Sequence, residues 1–378
     1  MAARALSLAL VVQAASGAPL GPTVTLRGGI DMPSIGSGSG GGCGPDSFGG
    51  PFPCAQYNNT LLYLEAGGRA LHDALSYGNQ FGTGAAVKAA ATQLGIKREE
   101  IFMMSMVPRE MMGYNLTKRA VAASLAQLQV DYIDLVMFHH RAADISAEPL
   151  KMKPMQAFPD HPDGTWGAPP CSIEDPTWQT CQDEGWRALV ELKKQGKIKA
   201  IGVSNWMLSN LKRMKSLGQE LPAVNQVEAH IGWCEDDLNE WCQANGVVLQ
   251  AATPMARGLP ALVTMGADKT VSGIATKYKK SPAQVSLRFL LDKGIAAIPS
   301  AHTAAYMKEN LDVHTALGKP WRLAAEELTA LSKISTPCRG APCASLCLPS
   351  APGSACSAPA SVGAPGAASA VVYQLGFL

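Results

Sequence analysis

Ile101-Phe-Met-Met-Ser-Met-Val107 is a short, almost wholly apolar run, preceded by a helix-like segment that ends in Lys97-Arg-Glu-Glu100. Apolar residues without alternation over so few positions mark a strand covered on both faces, as in a buried parallel sheet. Neighbouring segments place polar residues at their ends: Leu71-His-Asp-Ala-Leu-Ser-Tyr77-Gly-Asn79 before it and Tyr132-Ile-Asp-Leu-Val-Met-Phe-His139 after it. A barrel enzyme displays its chemistry in this way, on the ends of its strands.

Working outward, helix-like and strand-like segments alternate from about residue 60 to 335. Helices are expected at Thr83 to Leu94, Thr117 to Leu128, Asp183 to Gln195, Trp206 to Leu217, Asp236 to Asn245, Val271 to Lys279, Pro282 to Asp292, Ala304 to Leu311 and Ala324 to Ser332. Strands are expected at Ile101 to Val107, Tyr132 to His139, Ile198 to Ser204, Ala223 to His230, Val247 to Ala252 and Ile295 to Pro299. Adding Ser34-Ile-Gly-Ser-Gly38 and a strand at Tyr77 brings the count to eight. Repeated strand-helix units imply a parallel sheet with helices outside, here an α/β (β/α)8 TIM barrel over residues 24–335. A Gly-rich piece, Ser37 to Pro53, and a Pro-rich piece, Ala142 to Thr180, read as loop insertions. The second follows the strand that carries His139, which places it over the mouth of the barrel. Residues 336–378, rich in Ala, Ser and Pro, read as a flexible tail.

Composition narrows the functional classes. The chain has 378 residues, 47% of them hydrophobic, enough for one large core. Its net charge of +2 is spread without Lys/Arg runs, which argues against nucleic acid as a main partner. No apolar stretch reaches the roughly 20 residues of a transmembrane helix. Residues 1–23 begin with one positive charge, a short apolar core and small residues, the pattern of a secretory signal peptide; an Ala-rich leader or an organelle presequence are the alternatives. Of the ten cysteines, Cys43/Cys54 and Cys171/Cys181 bracket the insertions, and Cys338, Cys343, Cys347 and Cys356 crowd the tail. Cysteines in loops suggest disulfides and an oxidising compartment, secretory or extracellular, with cytoplasm or an organelle as the alternative. No Cys-x-x-Cys pair or histidine in the tail supports zinc, and Cys234 and Cys242 read as small core hydrophobes.

The order of motifs resembles the aldo-keto reductases, over roughly residues 24 to 335. The pieces that carry the likeness are Ala74-Leu-Ser-Tyr77-Gly-Asn-Gln80, Asp131-Tyr-Ile-Asp-Leu-Val-Met-Phe-His139, Gly196-Lys-Ile-Lys-Ala-Ile-Gly-Val-Ser-Asn205, Asn225-Gln-Val-Glu228, and Ile298-Pro299 with Glu309-Asn310. The resemblance implies an oxidoreductase that reduces a small aldehyde or ketone with NADP or NAD. Hydride adds to the carbonyl carbon while an acid protonates the oxygen. It also implies Tyr77 as proton donor, His139 as the group that orients the carbonyl, Ser204, Asn205 and Gln226 as holders of the nicotinamide carboxamide, and Glu309 and Asn310 as holders of the adenine end.

Departures from that pattern cluster at one point. A tyrosine titrates near 10, and the family lowers this with a lysine held by an aspartate. Here Met106 stands at the lysine position and His72 at the aspartate position, with Asp73 one step along and so on the opposite face of a strand. Losing both partners of a buried ion pair together costs little, whereas losing one costs much. His72 then reads either as an aid to Tyr77 or as a core histidine. Ala252 replaces a stacking tyrosine, and Ser300 and Tyr306 replace the cations that would clamp a 2′-phosphate. These departures keep a second class open, a catalytically degenerate barrel that serves as a binding or scaffold protein.

Blander readings exist for several pieces. Ser204-Asn205 could cap a helix at Trp206, and Gln226 and Glu228 could satisfy one another. His139 and His140 would face opposite ways on a strand, and Met103, Met104, Met106, Met111 and Met112 read as adaptable packing, so no metal is expected.

Overall fold

The computed structural model describes residues 22–39, 55–142, 171, 177–231, 236–255 and 269–334. An antiparallel hairpin, β1 (Thr23–Leu26) and β2 (Ile30–Pro33), precedes a parallel sheet of seven strands. Those strands are β3 (Ala70–His72), β4 (Phe102–Val107), β5 (Ile133–Phe138), β6 (Ile198–Ser204), β7 (Val224–Glu228), β8 (Val248–Ala252) and β9 (Ala296–Ala297), adjacent in that order. Between β9 and β3 runs Ser34 to Gly38. Gly36 donates its N–H to Ala297 O, Ala297 to Ser34 O, and His72 to Ser37 O, so this segment closes the cylinder as an eighth stave. Closure there needs glycine, because a Cβ on Gly38 would lie 2.5 Å from the carbonyl oxygen of Ile298.

Helices cover the outside: α1 (Ala55–Glu65), α2 (Gln80–Gln93), α3 (Tyr114–Leu128), α4 (Trp178–Lys194), α5 (Leu208–Ser216), α6 (Asp236–Ala244), α7 (Lys269–Tyr278), α8 (Pro282–Asp292), α9 (Ala304–Leu311) and α10 (Ala325–Ser332). The expected (β/α)8 barrel is the fold found. Helix α1, which joins the stave Ser34 to Gly38 to β3, was not expected, because its polar stretch Gln56-Tyr-Asn-Asn-Thr60 hid it in the sequence.

Side-chain alternation along the strands divides the core in two. Met103 and Val107 of β4, with Val136 and Phe138 of β5, face the helices, together with Met111 and Met112. Phe102, Met104 and Met106, with Leu135 and Met137, face the interior, where Leu26 and Met32 of the hairpin plug one end. The methionine-rich stretch is thus two sets, separated by the wall of the barrel.

Two local expectations are corrected. Tyr77 is not on a strand: β3 ends at His72, and Leu75–Tyr77 form a 3-10 turn closed by Gly78 at φ +67°. Ser204-Asn205 does not cap a helix at Trp206: α5 starts at Leu208, and Asn210 accepts from the Met207 N–H. Cys171 and Cys181 are joined as a disulfide, tying the end of the Pro-rich insertion to α4. Residues 1–21 of the leader, the tail and cysteines 43, 54, 234, 338, 343, 347 and 356 lie outside the described residues. Among those described, no helix is long and apolar enough to cross a membrane.

Candidate active site

Where β3 and β5 end, two rings meet. The 3-10 turn carries the Tyr77 ring beyond β3, and His139, the first residue past β5, is held by its N–H to Val107 O at 3.0 Å. Their centroids are 5.5 Å apart with planes at 80°, an edge-to-face contact. His72, the last residue of β3, lies with its ring centroid 6.2 Å from that of Tyr77.

Alternation decides what lines the floor beneath them. Ala70 and Ala74 face the interior and Leu71 faces the helices, so His72 points inward and Asp73 outward. Asp73 is buried outside the wall, where Thr83 Oγ1 donates to it at 2.6 Å, the Ala74 N–H at 2.8 Å and Ser39 Oγ at 3.4 Å. Burial outweighs these bonds and pushes its carboxyl up to about 7. His72 is 3% exposed, and neither ring nitrogen has a hydrogen-bond partner among the described residues. Burial pushes it down to about 4, so its ring is neutral near pH 7. Met106, 1% exposed, belongs to the same interior cluster, against which Tyr77 packs.

His139 is neutral too: burial, then His140, His72 and Arg109, push it down to about 3. A neutral imidazole offers one N–H donor and one acceptor. Ser76 Oγ lies 3.2 Å from its Nδ1. The expectation that His139 and His140 face apart is corrected, because β5 stops at Phe138 and the two rings stack, with centroids 4.7 Å apart and planes at 22°. Among the described residues no group of three His, Cys, Asp or Glu side chains could hold a metal ion.

The lip continues on β6 and β7. Ser204 and Gln226 are register partners, and the Asn205 N–H donates to Gln226 O at 2.9 Å. Asn205 adopts φ +61°, which asparagine tolerates better than most residues. Its Nδ2 donates to His139 O at 2.9 Å and to Ser204 Oγ at 3.1 Å, linking this lip to the ring pair. Gln226 Nε2 donates to Gln250 Oε1 at 2.7 Å, so its partner is Gln250 rather than Glu228, which sits 3.7 Å from His230. Gln250 and Ser76 were not singled out from sequence; the signal for Gln250 was one amide inside the apolar run Val247 to Ala252. Glu309 and Asn310 stand apart on α9, where Ser281 Oγ donates to Glu309 Oε1 and Gln284 Nε2 to Glu309 O. Ser300 is exposed and Tyr306 is 61% exposed.

Comparison with known proteins places these features in a lineage. The family profile described as "Aldo/keto reductase family" matches residues 44–320. An uncharacterized oxidoreductase, YtbE, of Bacillus subtilis is 30% identical over 76% of this chain and 86% of its own length. The glyoxal reductase of the same organism is 30% identical over 77% and 86%. Among solved structures, an aldo/keto reductase from Brucella melitensis superposes with a TM-score of 0.64 at 28% identity, covering 83% of this chain and 99% of that one. An aldo-keto reductase complexed with NADPH gives 0.67 at 25% identity, covering 83% and 88%.

Proposed function

The chain belongs to the aldo/keto reductase family, and from that membership we propose that it reduces a small aldehyde or ketone to an alcohol with NAD(P)H. The observation that carries this reading is the convergence of the Tyr77 and His139 rings at the mouth, 5.5 Å apart. Glyoxal and methylglyoxal reductases among the relatives make small dicarbonyls the first substrates to try.

A bound dinucleotide supplies the hydride. The residues at the lip suit its carboxamide: Ser204, Asn205 and Gln226 present a hydroxyl and two amides beside the ring pair. Glu309 and Asn310 would meet the adenine end. At positions 300 and 306 a serine and a tyrosine offer no charge to a 2′-phosphate, so NADH and NADPH are both candidates.

Tyr77 donates the proton from its phenol to the carbonyl oxygen. His139, neutral, donates an N–H to the same oxygen and holds the carbonyl in line. With Met106 and His72 in place of an ion pair, no buried cation favours the phenolate, so proton donation is slower than such a pair would allow. The same observation supports a second reading, a barrel that binds a dinucleotide or another ligand without turning it over.

Tryptophan fluorescence on adding NADPH or NADH tests binding; a flat titration to millimolar cofactor sinks the reductase reading and leaves only the non-catalytic one standing. Cofactor consumption with simple aldehydes tests turnover. Tyr77→Phe should lower the rate by about 10²- to 10⁴-fold, the usual worth of general acid catalysis. A rate unchanged in that variant removes Tyr77 from the mechanism.

A further inference from the structure

The barrel interior holds sulfur and imidazole that the proposed reaction does not use. Met32, Met104, Met106 and Met137 are each at most 1% exposed and belong to one interior cluster. Gln250 Nε2 points its hydrogens at two of these thioethers, 3.4 Å from Met104 Sδ and 3.6 Å from Met32 Sδ. That contact puts both sulfurs within 3.6 Å of one amide nitrogen. His72 is the register partner of Met104, and the Asp73 N–H donates to Met104 O, which sets residues 72–74 alongside 104–106. On the inward face, the imidazole therefore springs from the position beside Met104, with Met106 two residues further along the same face.

We propose that this interior is a binding site for one soft monovalent cation, Cu(I) or its redox-inert analogue Ag(I), with His72, Met104 and Met106 as ligands. Three properties carry the assignment. First, both nitrogens of the buried His72 ring have no hydrogen-bond partner among the described residues, although a buried polar group left unpaired is costly. Its backbone is fixed by bonds to Ser37 O and, through Asp73, to Met104 O. Second, the donors are thioethers and an imidazole, a set that selects Cu(I) over hard cations. Third, the ligand set is neutral. The adjacent carboxyl, Asp73, faces out of the barrel and is held by Thr83, so a single positive charge is less costly to bury there than a divalent one.

Methionine methyl resonances read this site directly. The full chain, labelled with [methyl-13C]methionine and with accessible thiols blocked by iodoacetamide, is titrated with silver nitrate in chloride-free buffer. Two methyl resonances, assigned with Met104→Leu and Met106→Leu, should move and saturate at one equivalent, while that of Met207, 49% exposed, stays in place. His72→Phe should weaken Ag(I) by at least about tenfold, the lower end of what even an outer-shell change costs a metal site. Resonances that stay in place overturn the proposal. So does an unaltered titration in His72→Phe, which would leave the imidazole to an ordered water. Should His72→Phe fail to fold by circular dichroism, Met104→Leu and Met106→Leu replace it, and unchanged affinity in both overturns the proposal equally. No arm uses a dinucleotide or a carbonyl, so the outcome is independent of the reductase reading.

Discussion

At the lower end of β4 and β5, Asp134 is 4% exposed and fully partnered, whereas at the upper end His72 and Met106 share a buried site without any ion pair. Asp134 accepts from Arg98 Nη2 at 2.7 Å, from Lys199 Nζ at 2.9 Å and from the Met103 N–H at 2.9 Å. Arg98 and Lys199 also flank the Tyr132 ring, 4.2 and 4.1 Å from its centroid. Here the buried charge is compensated from three directions. In the upper site both charged members are absent together, and apolar packing fills the space. Buried ion pairs are kept or lost as units, because one member left alone bears the full cost of desolvation.

Breaking the lower site should give the largest effect on stability. Asp134→Ala leaves Arg98 with only the carbonyls of Ile101 and Tyr132 and removes the acceptor of the Met103 N–H. Urea denaturation should show a loss of about 3 kcal/mol, the low end for a broken buried pair, since Lys199 at 41% exposure contributes little. A loss under about 0.5 kcal/mol would mean that the site is worth no more than a surface pair.

The upper site responds to acid instead. His72 has its folded value near 4, below the ordinary 6.5, so between those values the unfolded chain binds the extra proton. The contribution of His72 is therefore complete above pH 6.5 and is lost as pH falls towards 4, about 3 kcal/mol in all at 1.36 kcal/mol per unit. His139 and His314 are depressed as well, chiefly by burial, and add to the slope. His72→Phe isolates one group: its stability should fall less steeply from pH 7 to 5 than that of the parent chain. Parallel curves would place His72 in water.

Converting the upper site into the lower kind is the sharpest comparison, with the smallest energy. Met106→Lys alone buries a cation without a partner and should destabilise the chain. Adding His72→Asp should recover about 2 kcal/mol as coupling between the two changes and raise the rate of carbonyl reduction. Additive energies, or a rate no better than the parent's, would show that positions 72 and 106 do not meet as a charged pair would.

Much of this was readable in the order of residues. The run Ile101 to Val107 and its neighbours announced strands with both faces covered, and polar residues at strand ends announced the mouth. The one-residue offset between His72 and Asp73 was readable as opposite faces, and the structure has them so, one inside the wall and one beneath α2. Less readable were the ends of elements. The reading of a strand at Tyr77 failed because a turn can carry a side chain past the edge of a sheet without any break in hydrophobicity. Helix α1 escaped because its buried face includes Gln56 and Thr60, bonded to each other at 3.2 Å, so polarity there gave no sign of burial.

By itself the sequence determined the barrel, the inward and outward faces of its strands, and the absence of a cation at position 106, because periodicity and residue type are local properties. Tertiary structure alone decided that His139 and His140 stack, that Gln226 is satisfied by Gln250, and that Met32 joins Met104 around one amide. Those contacts depend on where each strand stops and on its register against strands remote in the chain, and no local pattern encodes either.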